Sequence, residues 1–500
     1  MPSPSLSSAV AYAQDKLNEL NLDKLKSLDL HRNLFEQYLV GVYPPLKTME
    51  PITEEDVLSN ASGLYNIYAH VPFCEQYCTF CHFYKDINPK ADKVYTYLET
   101  TKKKLDIISD KIGEIRGKTL FFGGGTPSFL NGEQIHIMAN SIKSKVTFEP
   151  GSEVTFELHP QIVHKPDCDD RFQAMLDSGV NRWVSGVQSM DNKVLNKLNR
   201  GHSDIEVFML LEVMKKHGCD NLSLDLIYGL PYQTIENWYD TIVTLVDAGV
   251  TKFNVFPLMF KVSDPITLHY LKSPEIFPDD ETRLIMHYMA EFILRDQGYN
   301  SGPVLYYSKS GTHSAQQESK FDEAEVTNLL PLGVGTFGHI GHTQYYNYCD
   351  MGKYTEAIES GKLPIWRGQT LSNDEQARRS IMFSLRSKGI SLPEFSNNFG
   401  FDPLIKFDKE FNILLENDLL ECDNGIIKTT DKGALFVDNI ASLFVSDVVR
   451  EKVASTNTQI IKNPKTSTLE RYDFSSIGRA NKSFVNNSSY DNNKAKELSD

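Results

Sequence analysis

The 500-residue sequence lacks any concentration of positive charge. Its net charge is −15 and its isoelectric point is about 5.4, whereas a nucleic-acid surface needs clustered Lys and Arg to bind phosphates. No apolar run approaches the ~20 residues of a transmembrane helix, and the N-terminus has no signal-peptide pattern. These absences argue against a nucleic-acid partner and a membrane span, and they predict a cytoplasmic protein.

Cysteine is scarce and unevenly placed. The chain has seven cysteines, and an odd number without a secretory signal disfavours a disulfide framework. Cys74, Cys78 and Cys81 stand in the spacing C-x3-C-x2-C, directly after a short apolar segment typical of a strand. The other four are expected to be dispensable; they are Cys168, Cys219, Cys349 and Cys422.

Three cysteines in this spacing suit a [4Fe–4S] cluster in which one iron has no protein ligand. Structural zinc usually takes four ligands as two separated pairs, and no second cysteine pair is present. Zinc would need His70 or His82 as its fourth ligand, and a zinc-stabilised interaction protein is therefore an alternative. Free thiols that hold a cluster also need a reducing compartment.

Strand and helix patterns alternate from about residue 61 to residue 260. The predicted strands are Tyr65–His70, Thr119–Phe122, Glu153–Leu158, Arg182–Val187, Leu222–Tyr228 and Lys252–Phe256. Segments with helical periodicity separate them. Six such units predict a parallel sheet with right-handed crossovers, either a barrel or an open wound sheet.

Unusual residues follow the predicted strands and favour the barrel. The cysteines follow the first strand, Gly123-Gly-Gly-Thr-Pro127 follows the second, and Glu157 closes the third. Gln188 ends the fourth strand, and Asp225 lies in the fifth. Parallel βα barrels build their active sites at the carboxyl ends of the strands. We therefore expect these residues to share one site.

The cysteine spacing and these strand-end residues resemble the radical S-adenosylmethionine (SAM) superfamily over about residues 60–260. The resemblance implies a partial (βα)6 barrel with a [4Fe–4S] cluster on Cys74, Cys78 and Cys81, whose free iron binds SAM. Within the superfamily, the chain is similar to the branch that contains oxygen-independent coproporphyrinogen dehydrogenase, a related haem chaperone and the class C methyltransferases.

The resemblance also implies the residues that bind SAM. Those for the cluster-bound molecule are Tyr68, Gly124, Gly125, Thr126, Glu157 and Arg200, and those for a second molecule are Gln188 and Asp225. By the residues alone, a glycine-rich loop is often only a tight turn, and a single carboxylate or arginine is usually a solvated surface residue.

Five regions are predicted along the chain. They are a helical and irregular extension (1–60), the barrel (61–260), a barrel extension with the substrate pocket (261–365), a helical, winged-helix-like cap (366–450) and a tail without regular structure (451–500). A winged helix often binds DNA, but this one has no concentrated positive charge. We expect it to cover the substrate.

Phe83 distinguishes the branches of the family. Coproporphyrinogen dehydrogenase carries a further cysteine two positions after the third ligand, where this chain has Phe83. That departure, with Glu157-Leu-His-Pro160 and Tyr43-Pro-Pro45, favours the methyltransferase branch.

The expected function is therefore methylation of an sp2 carbon of a planar small molecule. Its substrate would be a quinone such as menaquinone, a tetrapyrrole or an aromatic heterocycle, and two SAM molecules would take part. An electron donor such as flavodoxin or ferredoxin would reduce the cluster. The alternatives are a coproporphyrinogen III oxidase-like decarboxylase and a haem chaperone.

Overall fold

The computed structural model describes residues 2–28, 30, 42–260, 264–302, 305–309, 314–315, 328–455, 458–462 and 469–473. The N-terminal extension contains α1 (Leu6–Glu19), α2 (Leu22–Ser27) and α3 (Glu54–Leu58). Ala9 and Ala13 of α1 are fully buried, and Tyr12 stacks on Phe292 with ring centroids 4.7 Å apart. The extension is therefore part of the folded body.

All six predicted strands form. The strands of this region are β1 (Leu64–Val71), β2 (Phe73–Cys74), β3 (Asp86–Ile87), β4 (Ile115–Gly124), β5 (Val146–Leu158), β6 (Arg182–Gln188), β7 (Leu222–Tyr228) and β8 (Lys252–Pro257). β1 and β4 to β8 pair in parallel in that order. Their apolar, β-branched sequences are typical of strands buried on both faces.

Six helices connect these strands. They are α4 (Ala91–Ile112), α5 (Gly132–Lys143), α6 (Cys168–Asp177), α7 (Asn192–Lys197), α8 (Asp204–Lys216) and α9 (Ile235–Asp247). Several begin at a capping box, in which a polar side chain and the residue three positions later bond to each other's backbone, as Ser203 and Glu206 do before α8. These caps fix where each crossover returns to the sheet.

The barrel sheet continues beyond its six parallel strands. The following elements are α10 (Pro265–Lys272), α11 (Asp280–Asp296), β9 (Asn300–Ser301), β10 (Tyr306–Ser308), β11 (Asn328–Leu332), β12 (Phe337–Ile340), β13 (Thr343–Asn347), α12 (Met351–Glu359) and β14 (Ile365–Thr370). The twelve strands run β14-β13-β12-β11-β1-β4-β5-β6-β7-β8-β10-β9. β11 pairs in parallel with β1, and β12, β13 and β14 are antiparallel additions.

One face of this sheet points inward. Residues paired across neighbouring strands share a face, and alternate residues along each strand point to the same side. Gly186 pairs with Asp225, which pairs with Asn254 and in turn with Tyr306. Asp225 and Tyr306 are partly exposed on this inner face, while the preceding Leu224 on β7 is fully buried. The inner face is therefore accessible at the carboxyl ends of the strands.

The C-terminal region forms a separate layer of helices with a small sheet. It contains α13 (Asn373–Ser384), β15 (Ile390–Ser391), α14 (Leu392–Phe399), α15 (Pro403–Lys406), α16 (Asp408–Glu416), β16 (Leu420–Asp423), β17 (Ile426–Thr429), α17 (Asp431–Leu435), α18 (Val437–Leu443) and α19 (Asp447–Ser455). Strands β18 (Thr458–Lys462) and β19 (Leu469–Asp473) pair within the segment predicted as an irregular tail. Residues 451–455 of that tail belong to α19, and the remaining residues of the tail lie outside the described residues. Among the described helices, none has the length and apolarity to cross a membrane.

Candidate active site

The cysteine loop follows β1 and folds back against the segment after α7. The Thr79 N–H donates to the Leu198 carbonyl at 3.0 Å, and the Asn199 amide donates to the Tyr77 carbonyl at 2.9 Å. The Arg200 guanidinium lies 3.4 Å from the Cys78 sulfur. The residues that follow α7 thus hold the cysteine loop in place.

A buried lysine lies within the loop. Lys85 is 3% exposed, and its ammonium donates to the carbonyls of Cys81 at 2.5 Å and Phe83 at 3.3 Å. It also lies 4.7 Å from the centre of the Tyr77 ring. Its charge helps to lower the pKa of Cys74, so it is felt at the cysteine ligands.

The surroundings of Cys74 suit an iron–sulfur cluster. Burial, chiefly, and the nearby Cys81 and Cys78 raise the pKa of Cys74 to about 12. The Thr126 hydroxyl lies 3.4 Å from the Cys74 sulfur and favours its thiolate. Cys74 and Cys78 are buried and Cys81 is partly exposed. Thiolates placed this close together need a compensating positive charge, which bound iron would supply.

Within the described residues, no three His, Cys, Asp or Glu side chains converge as ligands for a single metal ion. A [4Fe–4S] cluster does not require such convergence, because each cysteine binds a different iron. Cys74, Cys78 and Cys81 fit that arrangement. Cys78 and Cys81 are both close enough to raise the pKa of Cys74, while the three cysteines are spread along the loop.

The glycine-rich loop after β4 closes over the cysteine loop. The Gly124 N–H donates to Glu157 Oε2 at 3.1 Å. A Cβ on Gly124 would lie 2.5 Å from the His70 ring, and one on Gly125 would lie 2.9 Å from the Cys74 sulfur. Glycine is therefore required at both positions for the two loops to approach.

Two partly buried carboxyl groups, Glu157 on β5 and Asp225 on β7, lie at this end of the barrel. Burial, chiefly, and the charge of Asp225 raise the pKa of Glu157 to about 8, although the Gly124 N–H and Arg200 lower it. Burial also raises the pKa of Asp225 to about 6, against the Asn254 amide that donates to it at 2.6 Å. Two carboxyl groups with raised pKa values at one end of the barrel mark a candidate functional site.

Arg200 and Gln188 lie side by side above β6. Arg200 donates to the Gly186 carbonyl at 2.5 Å, and a Cβ on Gly186 would lie 2.6 Å from the Gln188 amide nitrogen. Gln188 has φ of 69°, and its buried Oε1 has no hydrogen-bond partner within the described chain. The β6–β7 register shifts between Gly186 and Gln188, at the place where the Arg200 and Gln188 side chains meet Gly186.

Tyr68 connects the cysteine loop to the carboxyl groups. Burial raises its pKa well above the usual value, and Glu157 and then Cys81 raise it further. Its hydroxyl lies 3.3 Å from His70 Nδ1. The structure thus brings the sequence-predicted residues together around one space at the carboxyl ends of the strands.

Sequence reasoning missed two residues of this site. His159 Nε2 lies 3.1 Å from the Arg200 carbonyl, and its ring contacts the His202 ring. His159 therefore fixes the backbone that carries Arg200. Lys85 had no sequence signal, because a lysine in a polar loop is usually exposed. The Glu157-Leu-His-Pro160 motif contained the signal for His159.

Comparison with known proteins agrees with this geometry. The radical SAM superfamily model matches residues 68–245, which include all of the predicted cluster-binding and SAM-binding residues. Residues 68–245 therefore form a radical SAM domain. The model of the HemN C-terminal domain matches residues 371–436, so the predicted C-terminal cap is a HemN-like domain. A radical SAM domain implies a [4Fe–4S] cluster and SAM as cofactors.

Individual relatives of this radical SAM chain are similar over most of their length. The haem chaperone HemW of Lactococcus lactis is 27% identical over 383 residues, covering 76% of this chain and 97% of the relative. The oxygen-independent coproporphyrinogen III oxidase of a Synechocystis species is 24% identical, covering 84% and 95%. The structure of Escherichia coli HemN has the same fold, with a TM-score of 0.71, 22% identity and coverage of 81% and 96%.

These comparisons show that the prediction of a methyltransferase is wrong, because the relatives are haem chaperones and coproporphyrinogen oxidases. The motifs behind that prediction have structural tasks. Tyr43 bonds to Glu375 and Ser446 of the C-terminal domain, and His159 supports Arg200. Phe83 shows only that the additional cysteine of coproporphyrinogen dehydrogenase is absent. That absence does not distinguish a methyltransferase from a haem chaperone.

Proposed function

We propose that this chain is a haem-binding radical SAM protein of the haem-chaperone type. The observation that carries the proposal is Phe83, which stands where coproporphyrinogen dehydrogenase has its additional cysteine and is 53% exposed. The relatives named haem chaperone HemW support it, because this chain covers 97% and 99% of two of them. A tetrapyrrole is then the planar ligand.

In this proposal, Cys74, Cys78 and Cys81 hold the cluster, and Glu157, Arg200 and the Gly124–Thr126 loop bind the SAM beside it. Arg200 supports this role because it reaches both the Cys78 sulfur and the Gly186 carbonyl. The reduced cluster, when bound, supplies the electron for SAM cleavage. The surrounding residues orient SAM and exclude water from it.

A second SAM site belongs to the same proposal. Gly186 pairs with Asp225 and Gln188 pairs with Leu226, so Gln188 and Asp225 lie close together on neighbouring strands. Gln188 Oε1 is buried without a partner in the described chain. An unsatisfied buried amide oxygen is costly unless a ligand donates to it. The amino group of a second SAM, or a donor on the tetrapyrrole, would satisfy it.

We further propose that a flavodoxin or ferredoxin delivers the electron near Phe83. Phe83 lies two residues from Cys81 and exposes much of its ring. His82 is next to it, with ring centroids 4.7 Å apart. An exposed aromatic side chain beside a redox centre gives a partner a short approach to the cluster.

Oxidative decarboxylation of coproporphyrinogen III is the second candidate. The oxidase relatives and the shared fold with HemN support it, whereas Phe83 in place of the cysteine counts against it. Both candidates use a tetrapyrrole, and they differ in whether carbon dioxide leaves it.

The test is anaerobic reconstitution of the full chain, followed by incubation with SAM, reductant and either haem or coproporphyrinogen III. We expect a stable haem complex, seen as a shift of the haem absorption band, and no loss of carbon dioxide by mass spectrometry. Decarboxylated product without haem binding would establish the oxidase instead. A Phe83→Cys variant tests the deciding residue, and Phe80→Cys is the matched control in the same loop.

A further inference from the structure

The inner face of the sheet extends past the SAM residues onto β12, β13 and β14. Tyr68 pairs with Pro331, and Leu329, two residues earlier on β11, pairs with His339. Because alternate residues of a strand share a face, His339 lies on the same face as Tyr68. The opposite face is covered, since Thr343 donates to the Asp56 carbonyl of α3 at 2.9 Å.

Two rows of side chains cross these three strands on the inner face. Strand register places Phe337, Tyr346 and Arg367 in one row and His339, Gln344 and Gln369 in the next. The Phe337 and Tyr346 rings contact each other with centroids 5.6 Å apart. Three strands span about 10 Å, which gives a planar macrocycle room to lie along the sheet.

Three polar groups in these rows have no partner among the described residues. His339 Nε2 and Gln369 Oε1 are buried without a hydrogen bond. The Arg367 guanidinium lies 5.5 Å from the Trp366 ring and forms no hydrogen bond or ion pair within the part of the chain that the structure describes. Buried polar groups are nearly always paired in native proteins. The unpaired atoms of His339 and Gln369, beside the partly exposed Arg367, therefore indicate that a ligand binds on this face.

His339 has a ring nitrogen that can ligate a metal ion. Its Nε2 is buried without a hydrogen-bond partner among the described residues, and an imidazole nitrogen is the commonest metal ligand in proteins. A desolvated nitrogen also binds iron without first losing bound water. The neighbouring Gln344 is already held by Gly338 and Arg379.

Resting on the proposed haem function, we infer that β12, β13 and β14 form the tetrapyrrole subsite, in which His339 ligates the iron and Arg367 binds a propionate. Phe337 and Tyr346 provide the apolar surface against which the macrocycle lies. A guanidinium and a carboxylate form a charge-assisted pair. The subsite is continuous with the SAM residues, because Tyr68 and His339 share one face.

The experiment titrates two probes, ferric haem and metal-free protoporphyrin, into the cluster-loaded full chain. His339→Ala should abolish the absorption spectrum of nitrogen-ligated haem and leave binding of metal-free protoporphyrin nearly unchanged. Arg367→Gln should weaken both probes by roughly ten- to a hundredfold, because it removes a charge-assisted contact. His342→Ala is the matched control, since His342 is exposed on the same hairpin.

Iron content and circular dichroism equal to wild type show that each variant is folded, and His339→Gln replaces His339→Ala if the latter is not. If wild type binds both probes and the variants behave like the His342→Ala control, the subsite is overturned while the proposed function stands. If wild type binds neither probe, the haem proposal itself fails. Separate losses, of iron ligation in His339→Ala and of both probes in Arg367→Gln, are the expected result.

Discussion

Lys85 shows how a single residue can tune the proposed redox centre. A buried ammonium that bonds to the Cys81 carbonyl places positive charge among the cysteine ligands. Reduction adds an electron to the cluster, so a nearby positive charge favours the reduced state. Lys85 therefore combines two effects, holding the loop backbone and easing reduction.

Replacing Lys85 by Met keeps the length of the side chain and removes its charge. We expect the ratio of reduced to oxidised cluster at a fixed potential to fall roughly tenfold, which corresponds to a midpoint ~59 mV more negative. Spectroelectrochemical titration of the reconstituted protein measures this shift. Lys90→Met is the control, because Lys90 is exposed at the start of α4. Equal midpoints in both variants would remove the electrostatic role of Lys85.

Glu157 predicts a pH dependence of stability. Its pKa is raised to about 8 in the folded protein, whereas a glutamate in an unfolded chain titrates near pH ~4.3. The folded state then holds a proton that the unfolded state releases, so stability falls as pH rises between these two values. Glu157→Gln should remove this loss.

The measurement is the thermal midpoint of the cluster-loaded, SAM-free protein from pH 5 to pH 8. The thermal midpoint of the variant should increase relative to that of wild type as pH rises. The variant should also bind SAM more weakly, because a functional carboxylate is held at a cost in stability. A constant difference between variant and wild type across this range would show that Glu157 titrates normally.

At the scale of elements, the segment that follows α7 organises the active site. Leu198, Asn199 and Arg200 each contact the cysteine loop, although they follow a different strand. Asn199 adopts φ of 52°, a left-handed conformation that Asn tolerates better than most residues. α7 therefore ends in a turn, and the polar groups of this turn contact the cysteine loop.

Asn199→Gly preserves that conformation and deletes the bond to the Tyr77 carbonyl. Loss of one hydrogen bond costs about 0.5–1.5 kcal/mol, so iron release to a chelator should become roughly two- to tenfold faster. Asn424→Gly is the matched control, because Asn424 also has a left-handed φ, of 50°, in the β16–β17 hairpin. Similar release rates for the two variants would contradict the proposed support of the loop.

The whole molecule is tied together across its terminal regions. Tyr43 of the N-terminal extension donates to Glu375 on α13, and the Ser446 N–H donates to the Tyr43 hydroxyl at 3.3 Å. Arg295 on α11 pairs with Asp431 on α17 at 2.8 Å. These contacts hold the HemN-like domain against the barrel.

Tyr43→Phe removes the buried hydroxyl from this junction. Glu375 and the Ser446 N–H each lose a partner, so we expect a loss of about 1–3 kcal/mol in unfolding free energy, measured by urea denaturation. Tyr95→Phe is the control, since Tyr95 also donates to a glutamate, Glu133, at a solvent-exposed position. If both variants lost the same stability, the junction would not contribute to holding the domains together.

The sequence predicted the parts of the molecule that rest on local patterns. Apolar periodicity predicted the parallel strands. Barrel topology then predicted that the residues after these strands share one site. The β11–β14 extension could not be predicted, because β11 pairs with β1 from more than 250 residues away. The role of His159 was missed because its partner, the Arg200 carbonyl, is 41 residues away. Lys85 was missed because a lysine in a polar loop is usually exposed, although its partners Cys81 and Phe83 are close in sequence. The prediction of the methyltransferase branch was wrong because Phe83 shows only that a cysteine is absent. The absence of that cysteine does not say which reaction the protein performs.

The most direct test of the account is the iron content and the electron paramagnetic resonance spectrum of the anaerobically reconstituted, reduced protein, with and without SAM. Wild type and Cys422→Ala should hold about four irons per chain, with a signal that SAM perturbs because SAM binds the iron without a cysteine. Cys74→Ala, Cys78→Ala and Cys81→Ala should each lose both properties. A Cys81→Ala variant that kept a normal cluster and the response to SAM would contradict the three-cysteine site.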